Sequence, residues 1–133
     1  MSYVAVREFT PMIGKDVVLE DRILRTSDVI EKYGAVSRVG KVIGGHRAGD
    51  YELYNWYETV AAGASAMDGF SNDPDLKKIF EERALTPVAE MRGPWLGRML
   101  HNSKSTDPRK IVLARDYHCL LYTSDAADEE DSV

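Results

Sequence analysis

Four aromatic side chains fall within the seven residues Tyr51–Tyr57, and this segment constrains the fold more than any other. Aromatic residues favour strands, and successive side chains of a strand point to opposite faces of the sheet. Tyr54 and Trp56 therefore share one face. The opposite face carries Tyr51, Asn55 and Tyr57. Both faces present aromatic surface that must pack against another layer, and the sequence does not say which face stays open.

Three further strands are predicted from β-branched and aromatic runs, at Tyr3–Phe9, Val36–Ile43 and Trp95–Leu100. A helix is predicted between the first two strands, with Asp16 as its N-cap. Its apolar residues recur at alternating spacings of four and three, which places them on one face. This stripe comprises Leu19, Ile23, Thr26, Ile30 and Tyr33.

A second helical region is predicted after the aromatic strand. Its first part, Val60–Met67, is rich in alanine, and it restarts at Asp73 and Pro74, which suit the N-cap and the first helical position. Its second part is expected to end or kink at Pro87, since proline cannot continue a helix. The apolar stripe of that second part comprises Leu76, Ile79, Phe80 and Ala84.

The order of the predicted elements is β-α-β-β-α-β. A right-handed crossover joins the first two strands and leaves a slot that the third strand fills antiparallel. The fold class is thus α+β, a ferredoxin-like βαββαβ sheet with both helices on one face. The other face has no partner within the chain, and its aromatic surface indicates a second sheet from another subunit. We therefore expect a homodimer, or a missing second repeat that supplies this sheet within one chain.

The chain divides into four parts. Residues 1–101 are predicted to form the ferredoxin-like domain, and residues 102–110 (NSKSTDPRK) a polar linker. Ile111–His118 (IVLARDYH) is similar to Tyr3–Thr10 (YVAVREFT), so it is interpreted as the first strand of a truncated second repeat or as a fifth strand of the first unit. Residues 119–133 (CLLYTSDAADEEDSV) resemble a translated sequencing adapter, and we expect an artefactual, disordered tail after about His118.

Charge and cysteine content depend on that tail. It carries five acidic residues and no basic one, so the rest of the chain is formally neutral although the whole chain has a net charge of -5. A neutral body argues against nucleic-acid binding and against a polybasic membrane anchor. The single cysteine, Cys119, also lies in the tail, which argues against disulfides, a thiolate nucleophile and a Cys-ligated metal. We expect a cytoplasmic protein with no cofactor and no metal.

Three segments carry a resemblance to known families. VREFTPMIGK (Val6–Lys15) resembles the opening strand and turn of NIPSNAP-like proteins. YELYNWYETVAAGASAM (Tyr51–Met67) resembles the third strand and second helix of antibiotic-biosynthesis-monooxygenase-like domains, and SNDPDLKKIFEER (Ser71–Arg83) is similar to the second half of that helix. The resemblance covers residues 3 to 100 and implies a dimeric α/β barrel in which two sheets meet through their open faces. Trp56 stands where these domains place a tryptophan.

Four residues are candidates for ligand binding. Arg7 lies midway along an apolar strand and could hold an enolate or carboxylate through two parallel hydrogen bonds, or could pair structurally with an acid such as Glu52. Tyr54 and Trp56 could stack on a planar ligand, or could be barrel core. His46, in the Gly-rich loop before the aromatic strand, could act as a general base or could be an exposed loop residue.

Two functions follow from the resemblance. The first is a NIPSNAP-like small-molecule-binding or interaction module, which is favoured because no acid-base constellation emerges. The alternative is a cofactor-independent monooxygenase or isomerase of a small aromatic or polyketide-like substrate, bound as an enolate near Arg7 and Trp56. The haem-degrading branch of the superfamily uses an Asn on the first strand, a Trp on the third strand and a His on the second helix, and at these places this chain supplies only Trp56. A closed pocket around an Arg7 that lacks a carboxylate partner would favour a ligand.

Overall fold

A computed structural model of the chain describes residues 2–101 together with residues 114 and 115. The linker predicted at 102–110, most of the segment 111–118 and the tail at 119–133 lie outside these described residues. The seven elements, which belong to one compact unit, are β1 (Tyr3–Pro11), α1 (Asp16–Glu31), β2 (Val36–Lys41), β3 (Tyr51–Tyr57), α2 (Val60–Ser71), α3 (Pro74–Leu85) and β4 (Ala89–Arg98).

The four strands form one antiparallel sheet in the order β2-β3-β1-β4. This order places β1 and β3 at the centre, with the crossover helices α1, α2 and α3 packed on one side. It is the ferredoxin-like α+β arrangement predicted from the order of elements, and the structure confirms it. None of the helices in residues 2–101 is long and apolar enough to cross a membrane.

The register of the strands decides which residues face the helices. Ala5 pairs with Asn55, which pairs in turn with Ser37, and residues that pair across strands share a face. These three residues are buried beneath the helices. The same side carries the hydrophobic core, to which α1 contributes a stripe at helical spacing. Its central members are Leu19, Ile23, Ile30, Leu53, Phe70 and Leu76.

The opposite face of the sheet, here called the open face, carries none of the helices found in residues 2–101. Its centre is apolar because Val4 pairs with Trp56, and Val6 pairs with both Tyr54 and Trp95. The rings of Tyr54 and Trp56 stack with their centroids 5.5 Å apart, while Trp95 is 51% exposed. The open face that the sequence left undecided is therefore the one that carries Tyr54 and Trp56.

One end of this open face is charged. Glu8, on β1, pairs with Arg47 from the loop before β3 and lies 3.6 Å from Arg92 of β4. Arg47 also contacts Glu52 at 2.9 Å, and Arg92 contacts Asp50 at 3.0 Å. The network ties three strands and the loop together, and it gives the open face one apolar and one charged half.

The last strand begins earlier than the sequence suggested. β4 starts at Ala89 and not at Trp95, because a register shift between Val6 and Glu8 accommodates Gly93 and Pro94 inside the strand. Glycine and proline within a strand are confined to edges and bulges, and β4 is an edge strand. The fourth strand was predicted at Trp95–Leu100, and that boundary was wrong.

The helix boundaries agree better with the sequence. Asp73 is the N-cap of α3, with its carboxylate accepting a hydrogen bond from the backbone N–H of Asp75 at 2.8 Å, and Pro74 is the first helical residue. For α1 the N-cap is Lys15 and not Asp16. In the stripe of α3 only Leu76 and Ile79 are buried, whereas Phe80 and Ala84 are exposed. The exposure of Phe80 has a structural reason, because it lies at the mouth of a cavity.

Candidate functional site

A cavity of about 330 Å³ lies between the helices and the sheet. Its volume is at the lower end of the range of ligand pockets in proteins, about 300–1,000 Å³. Side chains from all three helices and from β1 and β4 line it, and most of them are apolar. The apolar wall includes Phe9, Leu19, Ile23, Ile30, Phe70 and Ile79.

Three arginines are the charged members of the cavity lining. Arg7 comes from β1, Arg22 from α1 and Arg83 from α3. The described residues that line the cavity include no aspartate or glutamate. The cavity is therefore apolar over most of its surface and positive where it is charged.

Arg7 lines the cavity because it shares one face of β1 with Ala5 and Phe9, which belong to the core side of the sheet. Its Nη1 donates to Oδ1 of Asn55 at 3.0 Å. Burial lowers the pKa of Arg7 from its ordinary value. A guanidinium keeps its charge even so, and within residues 2–101 no carboxylate pairs with this one.

A chain of buried polar groups holds Asn55 in place. Its Nδ2 donates to Oγ of Ser37 at 2.9 Å, and the hydroxyl of Ser27 donates to the same oxygen at 2.7 Å. Asn55 is fully buried, while Ser27 and Ser37 are nearly so. Because Ser37 takes the amide N–H, the amide oxygen is turned towards Arg7. Neutral groups thus fix the orientation of the Arg7 guanidinium.

Arg22 serves mainly to join helices. Its Nη1 donates to the carbonyl of Thr86 at 2.7 Å, and its Nε lies 3.8 Å from Glu82, too far for a hydrogen bond. Arg25, one turn further along α1, binds Glu82 through both terminal nitrogens, at 2.6 and 3.0 Å. Hydrogen bonding to Arg25 lowers the pKa of Glu82 below its ordinary value. This cluster holds α1 against α3 beside the cavity.

The mouth of the cavity is rimmed by apolar side chains that remain accessible. Met67 is 41% exposed, Phe80 46% and Met91 40%, and all three line the cavity. The guanidinium of Arg83 lies over the ring of Phe80, 5.0 Å from its centroid. Such a rim suits the passage of an apolar molecule towards the floor.

The four candidate residues from the sequence do not meet at one site. Arg7 lies in the cavity, Tyr54 and Trp56 lie on the open face, and His46 belongs to the loop before β3, where it is exposed. The structural pair between Arg7 and Glu52 is not formed, because Glu52 lies on the opposite face of the sheet and pairs with Arg47 at 2.9 Å.

Asn55 is the residue that the sequence analysis missed. Asparagine is disfavoured in strands, and here it stands on the core side of the most aromatic strand of the chain. A buried amide must find hydrogen-bond partners, so its position predicts a polar neighbour on the adjacent strand. Arg7, two residues from the position that pairs with Asn55, is that neighbour.

Within residues 2–101 and 114–115, no group of three or more His, Cys, Asp or Glu side chains could hold a metal ion. The acids of the open face, Glu8, Asp50 and Glu52, are held by Arg47 and Arg92.

Comparison with solved structures identifies the fold. A NIPSNAP domain protein from Burkholderia xenovorans superposes with a TM-score of 0.59 at 15% identity, over 79% of this chain and 99% of that chain. A dimeric ferredoxin-like protein from an uncultured marine organism gives a TM-score of 0.56 at 9% identity, over 79% of this chain and 100% of the other. SnoaB, a cofactor-independent oxygenase from Streptomyces nogalater, gives 0.50 at 14% identity, over 82% and 100%.

No family profile and no curated protein sequence matches the chain. The fold is therefore the ferredoxin-like fold that NIPSNAP domain proteins and antibiotic-biosynthesis-monooxygenase-like proteins share, as the sequence resemblance implied. At these identities the similarity concerns the fold, and the chemistry has to be argued from the cavity itself.

Proposed function

We propose that this protein is a small-molecule-binding module whose ligand occupies the cavity between the helices and the sheet. One observation carries the proposal: the cavity contains a partly buried guanidinium, Arg7, that no carboxylate within residues 2–101 neutralises. Placing a charge in an apolar environment is costly unless it is paired, so such an arrangement is stabilised by a ligand that supplies the missing interaction.

The shape of the cavity supports the same function. Ligand sites are mostly apolar with a few convergent polar groups, and this cavity combines apolar walls with the polar chain behind Arg7. The accessible apolar rim at Met67, Phe80 and Met91 provides an entrance.

The alternative function is a cofactor-independent oxygenase or isomerase. Its supporting observation is Arg7, which could stabilise the negative oxygen of an enolate. Forming an enolate also requires a base to remove a proton. In the described lining the polar groups other than arginine are the hydroxyls of Thr26 and Ser71, which are weak bases. Binding without chemistry therefore accounts for the cavity more simply.

We further propose that a second copy of the chain covers the open face. The apolar half of that face, built on Tyr54, Trp56 and Trp95, would be buried between two sheets, and a solved structure with this fold is described as dimeric. Alternatively, a second repeat that starts at about residue 111 would supply the covering sheet from the same chain. We also propose a cytoplasmic location, which the absence of cysteine before residue 119 supports.

A cavity-filling substitution tests the binding function. In Thr26→Phe the ring enters the cavity from α1, whereas in Ala84→Phe it stands on the exposed side of α3. Saturation-transfer NMR would be recorded with small alkyl and aryl acids, alcohols and amines. We expect compounds that bind the unmodified chain and the Ala84→Phe variant to lose binding in Thr26→Phe. If no compound binds, or if Thr26→Phe binds as well as the unmodified chain, the proposal fails.

A further inference from the structure

The charges of the cavity specify the kind of ligand more closely. We infer that the cavity takes a small monocarboxylate with an apolar tail, whose head group meets Arg7 in an orientation that Asn55 fixes. This inference rests on the binding function proposed above. It assigns a ligand class to the site and a specificity role to Asn55.

Arg7 differs from the other two arginines of the lining in what it contacts. Arg22 donates to a backbone carbonyl and lies beside Glu82, and Arg83 lies over the ring of Phe80. Arg7 instead has a single hydrogen-bond partner in residues 2–101, an uncharged amide. A guanidinium carries five N–H donors in a planar fork, so most of the donors of Arg7 remain for a ligand.

The partner of Arg7 matters because it is neutral. Asn55 accepts one hydrogen bond from Arg7 without cancelling its charge, whereas an aspartate of the same shape would do so. The amide is locked by the hydroxyls of Ser37 and Ser27, so it cannot turn its N–H groups towards Arg7 without breaking a buried hydrogen bond. Asn55 thus fixes the guanidinium and leaves its charge available. Planar guanidinium groups bind carboxylates through two parallel hydrogen bonds.

The rest of the lining requires an apolar tail. The walls of the cavity are formed by buried side chains such as Leu19, Ile23 and Ile79, and the rim is apolar as well. A second anionic group would lie against these side chains without a partner, which is costly. A cationic head group would be repelled by Arg7, and a neutral one would gain only ordinary hydrogen bonds. A single carboxylate on an alkyl or aryl body satisfies both parts of the cavity.

The inference is tested by exchanging head groups on one tail. Octanoate, octanol and octylamine would be titrated into the full chain by calorimetry, with 3-phenylpropanoate as the aryl counterpart of octanoate. We expect the two carboxylates to bind, octanol to bind about tenfold or more weakly, and octylamine not to bind. Whether octanoate or 3-phenylpropanoate binds more tightly tells an alkyl from an aryl ligand.

Three variants test which residues account for the binding of the carboxylate. Arg7→Met removes the charge, Asn55→Asp keeps the shape but gives Arg7 an internal counter-ion, and Lys77→Met removes an exposed charge from α3 outside the cavity. We expect both Arg7→Met and Asn55→Asp to weaken carboxylate binding by about tenfold or more while leaving octanol binding within about threefold. Lys77→Met is expected to bind like the unmodified chain. Thermal unfolding of each variant establishes that it is folded.

The outcomes distinguish a failure of this inference from a failure of the proposed binding function. If octanol binds as tightly as octanoate and Arg7→Met changes neither, the cavity binds apolar molecules but the assignment of a carboxylate is wrong. If Asn55→Asp retains full affinity for octanoate, the role of Asn55 is wrong. If none of the four compounds binds, both proposals fail. Should Arg7→Met and Asn55→Asp both unfold, the comparison of octanoate, octanol and octylamine on the unmodified chain decides.

Discussion

The hydrogen bond between Arg7 and Asn55 gives the sharpest prediction about stability. A bond of this kind, with one charged partner, contributes about 1.5–3 kcal/mol, and the neutral bond from Asn55 to Ser37 contributes about 0.5–1.5 kcal/mol. Asn55→Leu removes both bonds from a fully buried position. We therefore expect its free energy of unfolding to fall by about 2–4.5 kcal/mol. Arg7→Met leaves Asn55 Oδ1 without its donor and is expected to cost about 1–3 kcal/mol.

The double variant isolates the interaction. Because the Arg7–Asn55 bond can be lost only once, the combined loss should be smaller than the sum of the single losses by about 1.5–3 kcal/mol. Urea unfolding followed by circular dichroism measures all four free energies. Arg7→Met combined with Lys77→Met is the matched control and should be additive within about 0.5 kcal/mol. Additivity of the Arg7 and Asn55 losses would refute the argument that the two residues form one unit.

Three other predictions concern the core, the pH dependence and the open face. Leu53→Ala removes a fully buried side chain and should lower the free energy of unfolding by about 2–5 kcal/mol. Leu85→Ala, at an exposed position, is the control and should change this free energy by less than about 0.5 kcal/mol. Chemical denaturation measures both values. The guanidinium bonded to Glu82 depresses the folded-state pKa of this carboxyl. The resulting stabilisation is complete above the unfolded pKa of a glutamate, about 4.3, and is lost as the pH falls through the lower folded-state pKa. Glu82→Gln should therefore flatten the acid limb of a plot of melting temperature against pH, and an unchanged limb would contradict the assignment. Trp56→Glu should convert the expected dimer into monomers in analytical ultracentrifugation, and Ile13→Glu, at a fully exposed position, should not.

The fold was accessible from sequence because its signals are local and periodic. Alternating aromatics set the bounds of β3 at Tyr51–Tyr57, and the pair Asp73–Pro74 set the beginning of α3. The start of β4 was not accessible, because Gly93 and Pro94 lie within the strand at a register shift that depends on how β1 pairs with it. A strand that contains such a shift cannot be recognised from its own residues alone.

The candidate site was only partly accessible, because it depends on register between strands. Arg7 was a candidate on residue type and position, and the structure places it in the cavity. Tyr54 and Trp56 could be assigned to one face, but only the packing of the helices decides that this face is the open one. Asn55 was overlooked because its significance comes from its hydrogen bonds to Arg7 and Ser37, and both of these residues are far from it in the sequence.

The central claim is that a small molecule occupies the cavity on the helix side of the sheet. Isoleucine methyl groups report on it directly, because Ile23, Ile30 and Ile79 line the cavity whereas Ile13 and Ile43 are exposed on the surface. Octanoate would be titrated into methyl-labelled protein and followed by two-dimensional NMR. We expect the signals of the three cavity residues to shift with one common affinity while those of Ile13 and Ile43 stay in place. Shifts confined to the surface residues, or no shifts at all, would contradict the account.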